Sequence, residues 1–185
     1  MNPINLHING RAVAAAVEPR THLADFLREQ EGLTGTHLGC EHGVCGACTI
    51  ELDGAPARSC IQFAVRCNGA QVRTIEGFDG DALMDQLRAA FSAEHALQCG
   101  FCTPGMLITA RDIVLRLPHL TSAADEARIR QELAGNLCRC TGYQGIVRAI
   151  TRVLRERLGV VGAAGTVSTV STVSTVSTVG AAHAT

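Results

Sequence analysis

The chain has 185 residues, of which 46% are hydrophobic, so it is long enough to form one or two domains with apolar cores. Its formal net charge of −1 excludes a strong electrostatic attraction to nucleic acid or to an anionic membrane surface. No stretch has the roughly 18 continuous apolar residues of a membrane span, and Met1–Arg20 lacks the basic and apolar regions of a secretory signal. We therefore expect a protein of the reducing cytoplasm that does not insert into a membrane and would be exported only with a partner carrying a signal.

The first part of the chain is predicted to contain several strands and one short helix. Apolar and polar residues alternate in Ile4–Ile8, and the turn signal Asn9-Gly10 follows, which predicts a hairpin with Val13–Val17 as its second strand. Thr21 is predicted to cap a helix over His22–Arg28. Two further strands are predicted at Cys48–Leu52, before the turn Asp53-Gly54, and at Gln71–Ile75.

Beyond Gly77 the apolar residues recur with helical spacing. Four helices are predicted, at Asp81–Phe91, Pro104–Leu117, Ser122–Ala134 and Tyr143–Leu158. The predicted fold class is therefore α+β, in which a β-grasp, ferredoxin-like domain over residues 1–77 precedes a four-helix bundle over residues 78–158.

The remaining residues, 159–185, form a low-complexity tail in which Thr-Val-Ser repeats from Thr166 to Val179. A period of three fits neither an amphipathic strand nor an amphipathic helix, so we expect a disordered tail. The alternative is a strand that joins the sheet edge of a partner, since Thr and Val favour strands.

Eight of the nine cysteines fall into two sets of four. The first set has the spacing C-x4-C-x2-C-x11-C and comprises Cys40, Cys45, Cys48 and Cys60. The second has the spacing C-x2-C-x35-C-x-C and comprises Cys99, Cys102, Cys138 and Cys140. Four thiolates hold one [2Fe–2S] cluster, so the two sets predict two clusters. Two clusters in one short chain predict a relay, because electrons can enter at one and leave from the other.

The neighbouring residues suit this chemistry. Gly39, Gly43 and Gly46 interleave with the first three cysteines, and glycine supplies the positive φ angles and close backbone approach that a loop around a cluster needs. Cys102 precedes Thr103-Pro104, predicted as a cap and a first helical position, and Cys140 precedes the predicted helix at Tyr143. Helix N-termini favour an anionic group such as a cluster with four thiolates.

Other interpretations of the cysteines remain open but fit less well. Zinc commonly binds pairs of C-x2-C motifs, but rarely C-x4-C-x2-C or C-x-C. His42 could replace a cysteine, as in a Rieske centre, although Cys60 makes that unnecessary. Cys67 lies outside both sets and is interpreted as a small buried apolar residue.

Three segments resemble the motifs of one enzyme family. Gly39–Thr49, with the sequence GCEHGVCGACT, looks like the first cluster motif of the xanthine oxidase family of molybdenum hydroxylases. Gln98–Met106 (QCGFCTPGM) and Gly135–Tyr143 (GNLCRCTGY) resemble the beginning and the end of its second motif. The resemblance extends over about residues 3–158 and is to the separate small iron–sulfur subunit, as in carbon monoxide, isoquinoline, nicotinate and aldehyde dehydrogenases.

The resemblance implies an electron-transfer subunit whose substrate site lies in another chain. A large subunit would carry molybdopterin cytosine dinucleotide, with the cluster of the helical domain beside it. The N-terminal cluster would pass electrons to FAD in a medium subunit, or to a cytochrome-containing partner. The family positions that contact the pterin correspond to Gln98 and Cys140. A stand-alone two-cluster ferredoxin and a zinc-stabilised interaction module are the alternative functions, and Gln98 argues against the first because a free carrier has no pterin to contact.

Overall fold

The computed structural model describes residues 1–122 and 125–159. The five strands are β1 (Asn2–Ile8), β2 (Arg11–Val17), β3 (Thr49–Leu52), β4 (Ala55–Arg58) and β5 (Gln71–Arg73). The α-helices are α1 (Leu23–Asp25), α2 (Ala82–Ala93), α3 (Thr103–Arg116), α4 (Glu126–Glu132) and α5 (Gln144–Arg157). Helix α1 continues into a π-helical turn over Phe26–Gln30, so that together they make one short helical segment.

The strands form one mixed sheet in the order β2-β1-β5-β3-β4. Strand β5 runs parallel to β1 and antiparallel to β3, while the β1–β2 and β3–β4 pairs are antiparallel hairpins. The predicted first hairpin is confirmed: Asn9 and Gly10 have φ angles of 51° and 80°, and Ile8 pairs with Arg11 across the turn. The positive φ at both positions matches the right-handed twist of the flanking strands.

The helical segment after β2 begins one residue later than predicted. His22 is the N-cap, because its extended backbone pairs with Phe63 in an isolated bridge, whereas Thr21 accepts the Ala64 N–H through its carbonyl. Thr21 therefore does not cap the helix, and the prediction was wrong by one position. Phe26 and Leu27 of the π-helical turn are fully buried against the sheet.

Helices α2, α3, α4 and α5 share a second apolar core that extends from Phe78 to Leu154. The third helix is shorter than predicted: it begins at Glu126 and ends at Glu132, where a 3₁₀ turn over Leu133–Gly135 follows it. Asp125, just before it, accepts the N–H and hydroxyl of Ser122. Among the described residues, none of the helices is both long and apolar enough to cross a bilayer. The Thr-Val-Ser repeat lies outside the described residues.

The sheet and the helices meet through a partly buried ion-pair network. Asp81 lies 2.9 Å from Arg111 of α3 and 3.4 Å from Arg73 of β5, and Arg111 also reaches Glu51 of β3 at 3.3 Å. The guanidinium groups of Arg73 and Arg111 lie over the ring of Phe78, 3.8 and 5.0 Å from its centre, respectively. Asp81 also caps α2, since its carboxylate accepts the Met84 N–H at 2.9 Å. The start of α2 is thus fixed to both halves of the chain.

Replacing Asp81 should therefore destabilise the protein, and more so at neutral than at acid pH. Burial alone would raise the pKa of Asp81, but hydrogen bonds from Arg111 and Met84 and the charges of Arg111 and Arg73 outweigh it and lower the pKa. We expect Asp81→Ala to reduce the free energy of unfolding by about 1–3 kcal/mol at neutral pH, from the lost cap and ion pairs.

Because the folded pKa lies below the unfolded one, the carboxylate stabilises fully above about pH 4 and loses this contribution as the pH falls through the folded pKa. Denaturant titrations at several pH values would test this. Asp85→Ala is the matched control, since Asp85 lies on the same helix with a 56% exposed side chain and should change stability by less than about 0.5 kcal/mol. Equal effects of the two substitutions would contradict the prediction.

Candidate metal centres

The β3–β4 hairpin brings the last two cysteines of the first set together. Cys48 directly precedes β3 and Cys60 lies in the turn after β4, so pairing of Thr49 with Arg58 places them side by side. Ser59 reinforces the arrangement by donating its N–H and its hydroxyl to the Cys48 carbonyl, at 3.3 and 2.8 Å. Both cysteines are buried and their thiols are in hydrogen-bonding contact.

The first two cysteines of the set lie in the loop before β3 and are only partly buried. The Cys40 Sγ accepts the N–H groups of Cys45 and His42, at 3.3 and 3.4 Å. These N–H groups, with that of Cys45 first, lower the pKa of Cys40 to about 6. By contrast, burial and then the adjacent Cys48 thiol raise the pKa of Cys60 to about 11. The loop therefore stabilises the thiolate of Cys40, whereas the surroundings of Cys60 favour the protonated thiol.

The glycines of this loop serve two different needs. Gly43 and Gly46 have φ angles of 74° and 75°, which favour glycine. Gly39 has no such angle, but a Cβ there would lie 3.2 Å from the Cys45 Sγ. Gly39 thus keeps the space beside a sulfur open, and the loop can wrap closely around a bound group.

The second set lies at the N-termini of two helices. Cys102 is itself the N-cap of α3, with Thr103 and Pro104 in its first turn, which corrects the expectation that Thr103 is the cap. Cys138 and Cys140 precede α5, whose N-cap is Tyr143. The Sγ atoms of Cys99 and Cys140 are 3.6 Å apart, and Cys102 contacts Cys138. Burial and then the Cys138 thiol raise the pKa of Cys102 to about 12.

The turn that carries Cys138 is held by two residues that motif spacing alone does not reveal. The Tyr143 hydroxyl accepts the Cys138 N–H at 2.9 Å and donates to the Asn136 carbonyl at 3.0 Å, while the Tyr143 backbone adopts a left-handed φ of 66°. The Thr141 hydroxyl lies 3.2 Å from the Cys138 Sγ. Burial alone would raise the pKa of Cys138, but its hydrogen bonds, with that of Thr141 foremost, lower it.

All eight cysteines of the predicted sets are therefore gathered into two sites, and in each site the thiols meet in pairs. Within the described residues, no three or more His, Cys, Asp or Glu side chains converge on a single ion position. The pairs are Cys40 with Cys45, Cys48 with Cys60, Cys99 with Cys140, and Cys102 with Cys138. Two thiolates per iron is the ligation of a [2Fe–2S] cluster, so the donor sets fit this group.

The remaining predicted site residues take different places. Gln98 is exposed and directly precedes Cys99, whose Sγ lies 3.6 Å from that of Cys140; both cysteines are exposed. Cys67 is buried in the core of the sheet, away from both sites, and burial followed by the charge of Asp53 raises its pKa. His42 is exposed, and its ring contacts the Cys40 carbonyl.

The two sites are joined where the sheet meets the helices. The Leu137 N–H donates to the Cys45 carbonyl at 2.8 Å, which links a loop of one set directly to the neighbour of Cys138 in the other. His37 stacks on Phe101 with ring centres 4.8 Å apart, and its Nδ1 lies 2.7 Å from the Phe101 carbonyl. No local sequence pattern signals these contacts, because they join residues far apart in the chain.

Comparison with known proteins identifies both halves of the chain. A family described as a [2Fe-2S] binding domain matches residues 74–151, and one described as a 2Fe-2S iron-sulfur cluster binding domain matches residues 6–71. The chain is 52% identical over 150 residues to the caffeine dehydrogenase subunit gamma of a Pseudomonas species, an alignment that covers 81% of this chain and 89% of the relative.

Two other proteins of similar sequence are also part of oxidoreductases. The chain is 43% identical over 152 residues to a subunit of the probable xanthine dehydrogenase of Bacillus subtilis, covering 82% of this chain and 85% of the relative. A chain of quinoline 2-oxidoreductase from Pseudomonas putida has the same fold, with a TM-score of 0.76 and 49% identity, covering 85% of this chain and 96% of that one. The chain therefore belongs to the small [2Fe–2S] iron–sulfur subunits of the xanthine oxidase family of dehydrogenases, and it is an iron–sulfur subunit of an oxidoreductase.

Proposed function

We propose that this chain relays electrons, through one [2Fe–2S] cluster in each four-cysteine site, from a molybdopterin centre in a large subunit to a separate acceptor. The observation that carries the proposal is the pairing of all eight cysteines in two sites joined by the Leu137–Cys45 hydrogen bond. The names of the relatives, which are subunits of dehydrogenases for caffeine and xanthine, support a partner chain that binds the substrate.

The division of the chain follows from the same assignment. Residues 1–77 would form a β-grasp, ferredoxin-like domain, and residues 78–158 a four-helix bundle. The separate apolar cores, one from Ile4 to Val72 and the other from Phe78 to Leu154, support this division. The site of the sheet domain would be held by Cys40, Cys45, Cys48 and Cys60, and the site of the helical domain by Cys99, Cys102, Cys138 and Cys140.

A [2Fe–2S] cluster, when bound, supplies a centre that accepts and releases one electron. The residues of the chain set how readily this happens. Backbone N–H groups aimed at the Cys40 Sγ, and the Thr141 hydroxyl beside the Cys138 Sγ, stabilise additional negative charge on sulfur. The burial of Cys48 and Cys60 excludes water from one side of the first site.

Exposure supports an order for the relay. Cys99 and Cys140 are exposed, and Gln98 lies at the same surface, so the helical site can approach a cofactor held by another chain. We infer that Gln98 and Cys140 face the pterin of a large subunit. Apolar side chains around this site are also exposed: Leu97, Phe101 and Leu137. Such side chains favour burial against a partner.

The first site would then be the outer one, with FAD in a medium subunit or a cytochrome-containing partner as acceptor. Val44 is 61% exposed within the first cysteine motif, and Ile61 is 54% exposed next to Cys60. A Cβ at Gly43 would touch Ile61, so these side chains belong to one surface. The grouping of eight cysteines into metal-binding sets, which need reduced thiols, supports a reducing compartment such as the cytoplasm.

Metal analysis of the purified full-length chain would test the two-cluster assignment. We expect four iron and four acid-labile sulfide per chain, a red-brown absorption, and two distinguishable paramagnetic signals after reduction, because the two ligand environments differ. Two irons with one signal would contradict the relay, and a colourless zinc protein would favour the interaction module.

A pair of cysteine variants would test the ligand assignment. Cys67→Ser should retain all iron, since this thiol lies in the sheet core, and should cost only the roughly 0.5–3 kcal/mol of a typical core change. Cys60→Ser, at an equally buried thiol, should abolish the signal of the sheet-domain cluster and leave the other. Loss of iron from Cys67→Ser would show that the ligands are wrongly assigned.

The direction of the relay can be tested in the assembled complex with Gln98→Ala. We expect slower reduction by substrate and a perturbed signal from the helical-domain cluster, with all iron bound, because Gln98 lies beside Cys99. Gln86→Ala is the matched control, since Gln86 is exposed on α2 and contacts Arg157. A response of the sheet-domain cluster instead would reverse the order.

A further inference from the structure

Asn136 places a polar side chain between the sheet and the helices, in the contact zone where Gly46 and Thr49 meet Gly105 and Gly135. We call this contact zone the seam. The residue is only 2% exposed, although it lies in an irregular loop between Gly135 and Leu137. A buried amide that lacks partners is costly, so its contacts decide what it does.

The Asn136 carboxamide is saturated with hydrogen-bond partners from both halves of the chain. Its Nδ2, whose two N–H groups are shared among three acceptors, lies 3.2 Å from the Gly105 carbonyl oxygen, 3.3 Å from the Gly46 carbonyl oxygen and 3.4 Å from the Thr49 hydroxyl. Its Oδ1 accepts the Thr109 hydroxyl at 3.0 Å and the Arg58 Nη2 at 3.1 Å.

These partners adjoin ligand positions in both cysteine sets. Gly46 and Thr49 directly follow Cys45 and Cys48, and Gly105 lies in the first turn of α3, three residues after Cys102. Asn136 itself is two residues before Cys138, and its carbonyl accepts the Tyr143 hydroxyl that also holds the Cys138 N–H. One side chain therefore connects two backbone carbonyls and one hydroxyl near Cys45, Cys102 and Cys48 to the loop of Cys138.

The seam leaves no room for a side chain at Gly46 or at Gly105. A Cβ at Gly46 would lie 2.4 Å from the Gly135 carbonyl oxygen, and a Cβ at Gly105 would lie 2.3 Å from the Gly46 carbonyl oxygen. Arg58 closes the open side, where its guanidinium donates to the Thr49 hydroxyl at 2.5 Å and to the Gly135 carbonyl at 2.6 Å. The backbones touch here, and Asn136 supplies the directional bonds.

We propose that Asn136 is the positioning residue that fixes the separation of the two cysteine sites, with Arg58 holding it in place. The proposal rests on the function proposed above, because the separation matters only if both sites hold a redox centre. The rate of electron exchange and the magnetic interaction between two reduced centres both depend on their distance. Asn136 touches no cysteine thiol in its hydrogen bonds, so it acts through the Gly46 and Gly105 carbonyls and the Thr49 hydroxyl near the cysteines.

The test compares Asn136→Ala, Arg58→Met and Asn68→Ala in the full-length, iron-loaded chain. Asn68 is the matched control, since it is an exposed Asn that accepts the Asn5 N–H at 2.7 Å, far from the seam. The measurements are iron content, the individual paramagnetic signals, the spin–spin interaction between the two reduced clusters, and hydrogen exchange at the Leu137 amide.

We expect Asn136→Ala and Arg58→Met to keep four iron and both individual signals, while the interaction between the clusters weakens or becomes heterogeneous. The Leu137 amide should exchange about tenfold faster, because losing a buried hydrogen bond shifts a local opening equilibrium by about that factor. Asn68→Ala should change neither. Unchanged inter-cluster interaction in Asn136→Ala with all iron bound would overturn the proposal.

If Asn136→Ala does not fold, the measurements on Arg58→Met test the proposal instead. Arg58 lies at the exposed edge of the seam, where truncation of a side chain disturbs folding less. Loss of iron from Arg58→Met would assign these residues to cluster binding and not to spacing, which also overturns the proposal. Wild-type protein without two clusters would refute the proposed function instead, and the exchange of the Leu137 amide would still report whether Asn136 holds the seam.

Discussion

The accumulation of ionisable thiols in a small volume is the constraint on which the other features depend. Thiolates close together repel one another, and burial opposes their ionisation further. In the first site, backbone N–H groups stabilise negative charge on the Cys40 sulfur. In the second site, the N-termini of α3 and α5 and the Thr141 hydroxyl do the same. Cys60 and Cys102 have raised pKa values, because burial and a neighbouring thiol favour the protonated form. The loops are shaped by this charge as much as by packing.

The seam between the two halves of the chain holds the two cysteine sites in place relative to each other. If the two sites exchange electrons, the loops that carry them must be held at a fixed distance, although they belong to different cores. Because Gly46 and Gly105 have no side chains, the backbones of the two halves can touch there. The Arg111–Asp81 ion pair also joins the two halves. Polar bonds are suited to this task because they are directional, whereas apolar packing would tolerate sliding.

Local patterns predicted much of the secondary structure and the grouping of the cysteines. Neighbouring residues encode the Asn9-Gly10 hairpin, the strand predicted at Cys48–Leu52 and the helix predicted at Asp81–Phe91. The structure has each of them, although the strand begins at Thr49 and the helix at Ala82, with Asp81 as its N-cap. The prediction at Thr21 was wrong because His22 pairs with Phe63, a partner 41 residues away in sequence that no local pattern reveals. Asn136 and Arg58 were not predicted as site residues for the same reason, since several of their partners lie in the other half of the chain. The role of Tyr143 depends instead on how the turn from Cys138 to Tyr143 folds, which the spacing of the cysteines does not reveal.

The unequal exposure of the two cysteine sites bears on how the chain must be handled by the cell. Cys99 and Cys140 are open to solvent, with exposed Leu97, Phe101 and Leu137 around them, whereas Cys48 and Cys60 are enclosed. Peroxide and disulfides reach solvent-exposed cysteines more readily than enclosed ones, and exposed apolar side chains promote self-association. A chain without its partner would thus be most open to oxidation at Cys99 and Cys140, less so at the partly buried Cys40 and Cys45, and least at Cys48 and Cys60. Its lifetime would be set by how soon another chain covers the helical site, which makes prompt co-assembly a form of protection against oxidation.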